Sequence, residues 1–156
     1  MVIKAIFSDF DGVFTDNSVL IDEEGKEYVK CCRSDGLGIE KIKEQGIYFC
    51  IVSSEVVPLA KRRALKHNVD CYTGVKDKGK FIRNVQEKRS IKREECAFIG
   101  NDINDLGAFG EVGLKIAVAD SYEPLLSEAD HILKCNGGHG ALRETCEYII
   151  DIENRT

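Results

Sequence analysis

Short apolar runs alternating with longer amphipathic stretches leave this 156-residue chain few folds to choose from. The runs cover residues 2–8, 47–52, 70–72, 96–99 and 114–118, with a weaker sixth at 131–133. Helix-like periodicity fills 35–45, 55–67, 77–89, 104–110 and 122–128, and a closing helix covers 141–152. Strands alternating with helices build βαβ units, and hence a parallel sheet covered on both faces. Right-handed crossovers then give a Rossmann-like, doubly wound α/β sandwich. The whole chain, 1–156, reads as one domain, a size that supports a full core.

One segment breaks the alternation. Arms at 19–21 and 27–31 flank a Gly-bearing turn at 22–25, the signature of a β-hairpin. It follows the first strand directly, where such folds carry their active-site loops. No insertion is long enough for a separate cap domain.

Composition narrows the function. Lys and Arg total 22 against 27 Asp and Glu, a net charge of −5, which argues against nucleic acid as the main partner. No apolar run approaches the roughly 18 residues needed to cross a bilayer, and the first residues lack the core of a signal peptide. Both point to a cytoplasmic protein. The seven cysteines include no C-x-x-C pair, so they read as free thiols of a reducing compartment.

Ligands of doubly wound sheets bind at the carboxyl ends of the strands. The first run ends in Asp9-Phe10-Asp11-Gly12-Val13-Phe14-Thr15-Asp16, and the second in Ser53-Ser54-Glu55. Lys76, Asp77, Lys78 and Lys80 follow the third, and Gly100-Asn101-Asp102-Ile103-Asn104-Asp105 ends the fourth. Crowded carboxylates need a cation, and all-oxygen ligation suits Mg²⁺. A hydroxyl and an ammonium opposite that cation suit a phosphate dianion. A carboxylate can accept a phosphoryl group, and a second acid two residues on can protonate the leaving oxygen. A dinucleotide is disfavoured, because the first strand lacks G-x-G-x-x-G.

These four segments resemble, in order, the four motifs of the haloacid dehalogenase-like phosphatases. With Arg33-Ser34-Asp35-Gly36, Gly74-Val75-Lys76-Asp77-Lys78 and Gly137-Gly138-His139-Gly140, they are similar to its capless branch. That branch acts on 3-deoxy-2-keto sugar acid phosphates such as 3-deoxy-octulosonate 8-phosphate (KDO-8-P) and 2-keto-3-deoxynononate 9-phosphate (KDN-9-P). The resemblance implies a Mg²⁺-dependent phosphomonoesterase with Asp9 as nucleophile and Asp11 as general acid and base. Metal ligands would be Asp9, the Asp11 carbonyl and Asp102, with Asp105 supporting Asp102 from behind. Ser53 and Lys78 would hold the phosphate, and Arg63 the sugar acid carboxylate. The branch usually has Arg where His139 stands. Homotetramers in which neighbours help to close each site are implied as well.

Glu55, Arg63 and Lys66 refine the substrate. On a helix beginning at residue 55, Glu55 and Lys66 share a face about 16 Å apart, too far for both to touch one sugar acid within a subunit. A Glu at this position, with Arg and Lys eight and eleven residues later, resembles the enzymes for KDN-9-P, so the nine-carbon acid is the expected substrate and KDO-8-P the alternative. The glycines at 137–140 read as a flexible turn within reach of a neighbouring site. Two other classes compete. A response-regulator receiver needs an acceptor Asp at the end of the third strand, where Cys71-Tyr72-Thr73-Gly74 stand. A non-catalytic assembly domain, like those fused to sugar-acid cytidylyltransferases, would not need Asp9, Asp11, Lys78 and Asp102 together.

Overall fold

A computed structural model describes residues 2–155. Six parallel strands form the central sheet: β1 (Ala5–Ser8), β4 (Tyr48–Val52), β5 (Asp70–Tyr72), β6 (Cys96–Gly100), β7 (Leu114–Ala117) and β8 (His131–Ile132). Their spatial order is β5-β4-β1-β6-β7-β8. The chain thus builds outward from β1 to one edge, then returns to β6 on the other side. The strand order reverses beside β1, and the crevice at that switch point is where doubly wound sheets bind ligands. β2 (Leu20–Ile21) and β3 (Glu27–Tyr28) pair antiparallel as a separate hairpin. It is shorter than the arms the sequence suggests. Among the described residues it is the insertion between β1 and the first helix, which begins at Arg33, and no cap domain is present.

Alternation along the strands sorts side chains into two cores. Ile6, Phe49, Ile51, Ala97 and Ile99 pack beneath α1 (Arg33–Glu44), α2 (Pro58–His67) and α6 (Ala141–Asn154). Ala5, Phe7, Cys50, Val52, Cys96 and Phe98 face α3 (Lys78–Arg89), α4 (Leu106–Phe109) and α5 (Leu125–Glu128). The period of two requires this division, since successive strand residues point to opposite faces. Burial on both faces explains why the inner strands β1, β4, β6 and β7 read as continuous apolar runs. Burial pushes the Cys50 thiol up to about 12.

Two helices begin later than the sequence periodicity suggests, for one reason. α2 starts at Pro58, not at Glu55. Proline favours the first helical turn and drives the residue before it into extended geometry, as at Val57 with φ −116° and ψ 99°. Likewise Pro124 precedes α5, so residues 122–124 lie outside it. At 104–110 a 3₁₀ turn over Ile103–Asp105 leads into the short α4.

The glycines at 137–140 are packed, not free. Gly138 N–H donates to the Val13 carbonyl at 2.9 Å, and Gly137 N–H to Asp120 Oδ1 at 2.9 Å. A Cβ on Gly137 would stand 1.9 Å from the Gly12 carbonyl oxygen. This loop therefore buttresses its own chain's loop after β1.

Asp35 joins α1 to α6. Its Oδ1 accepts from Arg143 N–H at 3.0 Å, and burial pushes its carboxyl up from 3.8 to about 6. The folded protein therefore holds a proton that the unfolded chain releases, so this group's contribution to stability falls as pH rises from about 4 to about 6. Denaturation midpoints at pH 4.5 and 6.5 should show that slope, and Asp35→Asn should flatten it. An unchanged slope in Asp35→Asn would contradict the assignment.

Candidate active site

The carboxyl ends of β1, β4 and β6 open into a cavity of about 750 Å³ lined by Asp9, Asp11, Ser53, Glu55, Asn101 and Asp102, among others. Asp9 follows β1 directly, and its N–H still donates to Ile99 O at 3.0 Å, so the sheet fixes its backbone. Its side chain is buried. Oδ1 accepts from Phe10 N–H at 2.8 Å and lies 3.1 Å from Lys78 Nζ.

Lys78 is the first residue of α3. Asp77 caps that helix by accepting from Lys80 N–H at 2.9 Å. The helix start directs Lys78 inward, where it is only 2% exposed. Its ammonium sits 2.7 Å from Asp105 Oδ1, so one buried cation bridges two carboxylates. Burial alone would lower its pKa, but Asp9 and Asp105 outweigh that and raise it. Asp105 is also fully buried, and its Oδ2 accepts from Asn101 N–H at 2.9 Å. It thus ties the loop after β6 to Lys78. Burial, and next the Asp105 charge, push the Asp9 carboxyl up to about 7 against the opposing pull of Lys78. That balance marks a site short of positive charge.

Asp11 is half-buried. Burial first, then the Glu55 charge, raise its carboxyl, although Lys78 pulls the other way. A carboxyl raised in this direction suits a general acid. Ser53 follows β4 with 1% of its surface exposed, held by Ser53 N–H to Tyr72 O at 2.9 Å and Val75 N–H to Ser53 O at 2.9 Å. Asn104 Nδ2 donates to Ser54 Oγ at 3.2 Å, closing the rim between the loops after β4 and β6.

Asn101 is the residue that the sequence reading passed over, although it stands inside the quoted Gly100–Asp105 motif. With its nitrogen inward, its buried amide donates to Asp9 Oδ2 at 3.1 Å and to the Asp11 carbonyl at 3.2 Å. With its oxygen inward, three acceptor oxygens meet, an arrangement that a cation would hold together. That set of carboxylate, carbonyl and amide suits a hard divalent ion that keeps several waters. Among the described residues, no three His, Cys, Asp or Glu side chains are grouped to hold a metal. Two of the three converging donors here are not of those types. Asp102, expected as the third ligand, lines the cavity, but its Oδ1 accepts from Ile103 N–H at 2.7 Å.

Glu55, Arg63 and Lys66 are not on one helix face, because Glu55 precedes α2 in the extended segment. The 16 Å separation argued for a continuous helix does not apply. Glu55 lines the cavity with Asp9 and Asp11. Arg63 and Lys66 line a second cavity of about 450 Å³ with Arg33 and Arg62. The two cavities share Val29 and Leu59 as walls. His139 lies against a third, beside Asp16 and Cys31.

A model of the haloacid dehalogenase-like hydrolases matches residues 54–144. The chain is 30% identical over 155 residues to the 3-deoxy-D-manno-octulosonate 8-phosphate phosphatase of Haemophilus influenzae, covering 99% of this chain and 86% of that protein. The enzyme of the same name from Escherichia coli K12 is 30% identical over 95% of this chain and 79% of its own length. Among solved structures, the Moraxella catarrhalis phosphatase of that name, in complex with magnesium, phosphate and KDO, superposes with a TM-score of 0.93. Identity is 32%, covering 98% of this chain and 88% of that one. A hydrolase of the family from Streptomyces avermitilis is 36% identical with a TM-score of 0.92, covering 95% and 85% of the two chains. The switch-point site, the four motifs and these likenesses together establish that the chain belongs to the haloacid dehalogenase-like hydrolases, in the capless branch that includes the 3-deoxy-D-manno-octulosonate 8-phosphate phosphatases.

Proposed function

We propose that this chain is a Mg²⁺-dependent phosphatase of a 3-deoxy-2-keto sugar acid phosphate, working through an aspartyl phosphate on Asp9. The observation that carries the reading is the buried Asp9 carboxylate at the switch point, with Lys78 and Ser53 beside it and Asp11 two residues on. An Asp9 oxygen attacks phosphorus while the bond to the sugar oxygen breaks. Asp11 gives its proton to that oxygen, so the sugar acid leaves as an alcohol. Asp11, now ionised, takes a proton from the water that attacks the phosphoryl group, and Asp9 is released with inorganic phosphate. Lys78 and Ser53 hold the phosphoryl oxygens throughout. Asp9, the Asp11 carbonyl and Asp102, with Asn101 beside them, would hold Mg²⁺, which would supply the positive charge that lets an anionic nucleophile approach an anionic ester.

The nine-carbon acid is the favoured substrate in this reading, because Glu55 lies in the catalytic cavity near Asp11, where it can accept bonds from the longer sugar's hydroxyls. The names of the relatives support KDO-8-P as the alternative. Arg63 and Lys66, across the shared wall of Val29 and Leu59, receive the carboxylate. The test is kcat/KM for both keto acid phosphates and an aryl phosphate. The expected result is a preference for the nine-carbon ester that Glu55→Arg shifts toward the eight-carbon one. Wild-type preference for KDO-8-P by about tenfold, roughly 1.4 kcal/mol, removes the nine-carbon assignment and leaves the phosphatase.

The working form is a cytoplasmic homotetramer in the same reading. Support comes from exposed apolar residues on and beside the hairpin, Val19, Leu20, Ile21 and Tyr28, since a lone hairpin is marginal in water. Light scattering at micromolar concentration should give a tetramer; a fully active monomer would contradict it.

A further inference from the structure

Three buried polar side-chain atoms have no hydrogen-bond partner among the described residues: Asp35 Oδ2, Arg63 Nε and His67 Nε2. They gather at one place. Arg63 and His67 are four residues apart on α2 and share a face. Asp35 and Gly36 lie in the first turn of α1, and a Cβ on Gly36 would meet the His67 ring at 2.4 Å. The Arg63 charge is felt at both Asp35 and His67. A carboxylate acceptor, a guanidinium donor and an imidazole nitrogen therefore lie near one another between α1 and α2, each buried and without a partner. Leaving each unsatisfied is costly, and a buried water that bonds several of them relieves that cost.

The remaining atoms of these residues are committed. Asp35 Oδ1 accepts from Arg143 N–H at 3.0 Å. Arg63 Nη2 donates to the Cys32 carbonyl at 3.3 Å. Arg63 also lines the basic cavity that adjoins the catalytic one, where its neighbours Arg62 and Lys66 are exposed. Of these three cations, Arg63 is the half-buried one backed by a buried carboxylate.

We propose that Asp35 is the positioning residue of Arg63: through one buried water shared with Arg63 Nε and His67 Nε2, it fixes the guanidinium toward the basic cavity. The inference rests on the reading of Arg63 as the group that receives the substrate carboxylate. Pre-set in this way, Arg63 gives up little side-chain freedom when the carboxylate arrives, so binding of the acid is strengthened.

A double-mutant cycle tests it, read as the KM for the sugar acid phosphate divided by the KM for an aryl phosphate without a carboxylate. Asp35→Asn keeps an oxygen for Arg143 N–H and removes the charge that faces Arg63. It should raise that ratio about tenfold in the wild-type background and leave it unmoved in the Arg63→Ala background. A purely structural role for Asp35 would lower the melting temperature and alter both KM values alike, leaving the ratio unchanged, which overturns the proposal. If Arg63→Ala moves the ratio and Asp35→Asn does not, the positioning role alone fails. If Arg63→Ala does not move it, the carboxylate reading of Arg63 fails, and the positioning role with it. Should Asp35→Asn not fold, a wild-type crystal structure decides: a water bonded to both Asp35 Oδ2 and Arg63 Nε supports the proposal, and its absence overturns it.

Discussion

Asp9→Asn should abolish phosphate release, by about 10⁴-fold or more, while the protein stays folded. The amide is a poor nucleophile toward phosphorus, yet it fills the same space. Its oxygen can still accept from Phe10 N–H, which now bonds Asp9 Oδ1 at 2.8 Å. The change also relieves a strained electrostatic position, since burial and Asp105 already push this carboxyl up to about 7. Stability of the metal-free variant should therefore equal or exceed that of the wild type. Phosphate-release assays and a denaturation curve on the same preparation check both halves. Activity within tenfold of the wild type would exclude Asp9 as the nucleophile.

Lys78→Met should cost about 3–5 kcal/mol of stability, because removing one partner of a buried ion pair strands the others. Here it strands two, Asp9 at 3.1 Å and Asp105 at 2.7 Å from the lost ammonium. The methionine fills much of the volume, so packing is a small part of the loss. The sign of the pH dependence follows. Without Lys78 the Asp9 carboxyl loses the charge that pulls its pKa down, so the penalty should be largest at neutral pH and shrink as acid protonates it. Urea denaturation at pH 7 and pH 5 measures this, and a midpoint equal to the wild type at pH 7 would contradict the network.

The alternation of apolar runs was enough to read the parallel sheet, because strands buried on both faces carry their signal in composition. The four motif segments likewise meet in and behind the cavity at Asp9, since each ends or follows a strand whose direction the crossover rule fixes. Asn101 was not legible in the same way. Within Gly100–Asp105 an Asp attracts attention as a ligand, and only the backbone path shows that the amide turns toward Asp9 and the Asp11 carbonyl. The start of α2 was legible but outweighed: periodicity over 55–67 suggested helix, while Pro58 and its effect on Val57 decide the boundary. The role of Gly137 and Gly138 had no local signal, because the close approach that requires them is to Gly12 and to residues 15–16, over a hundred positions away. Nor could spacing reveal that Asp35, Arg63 and His67 converge, since that depends on how α1 packs against α2.

The central claim is that Asp9 accepts the phosphoryl group, and ¹⁹F NMR with beryllium fluoride, a mimic of a carboxyl-bound phosphoryl group, tests it without requiring turnover. With Mg²⁺ present, the wild type should give a bound trifluoroberyllate signal that disappears in Asp9→Asn and on addition of EDTA. The same signal in Asp9→Asn, or none in a wild-type protein shown to release phosphate, would contradict it.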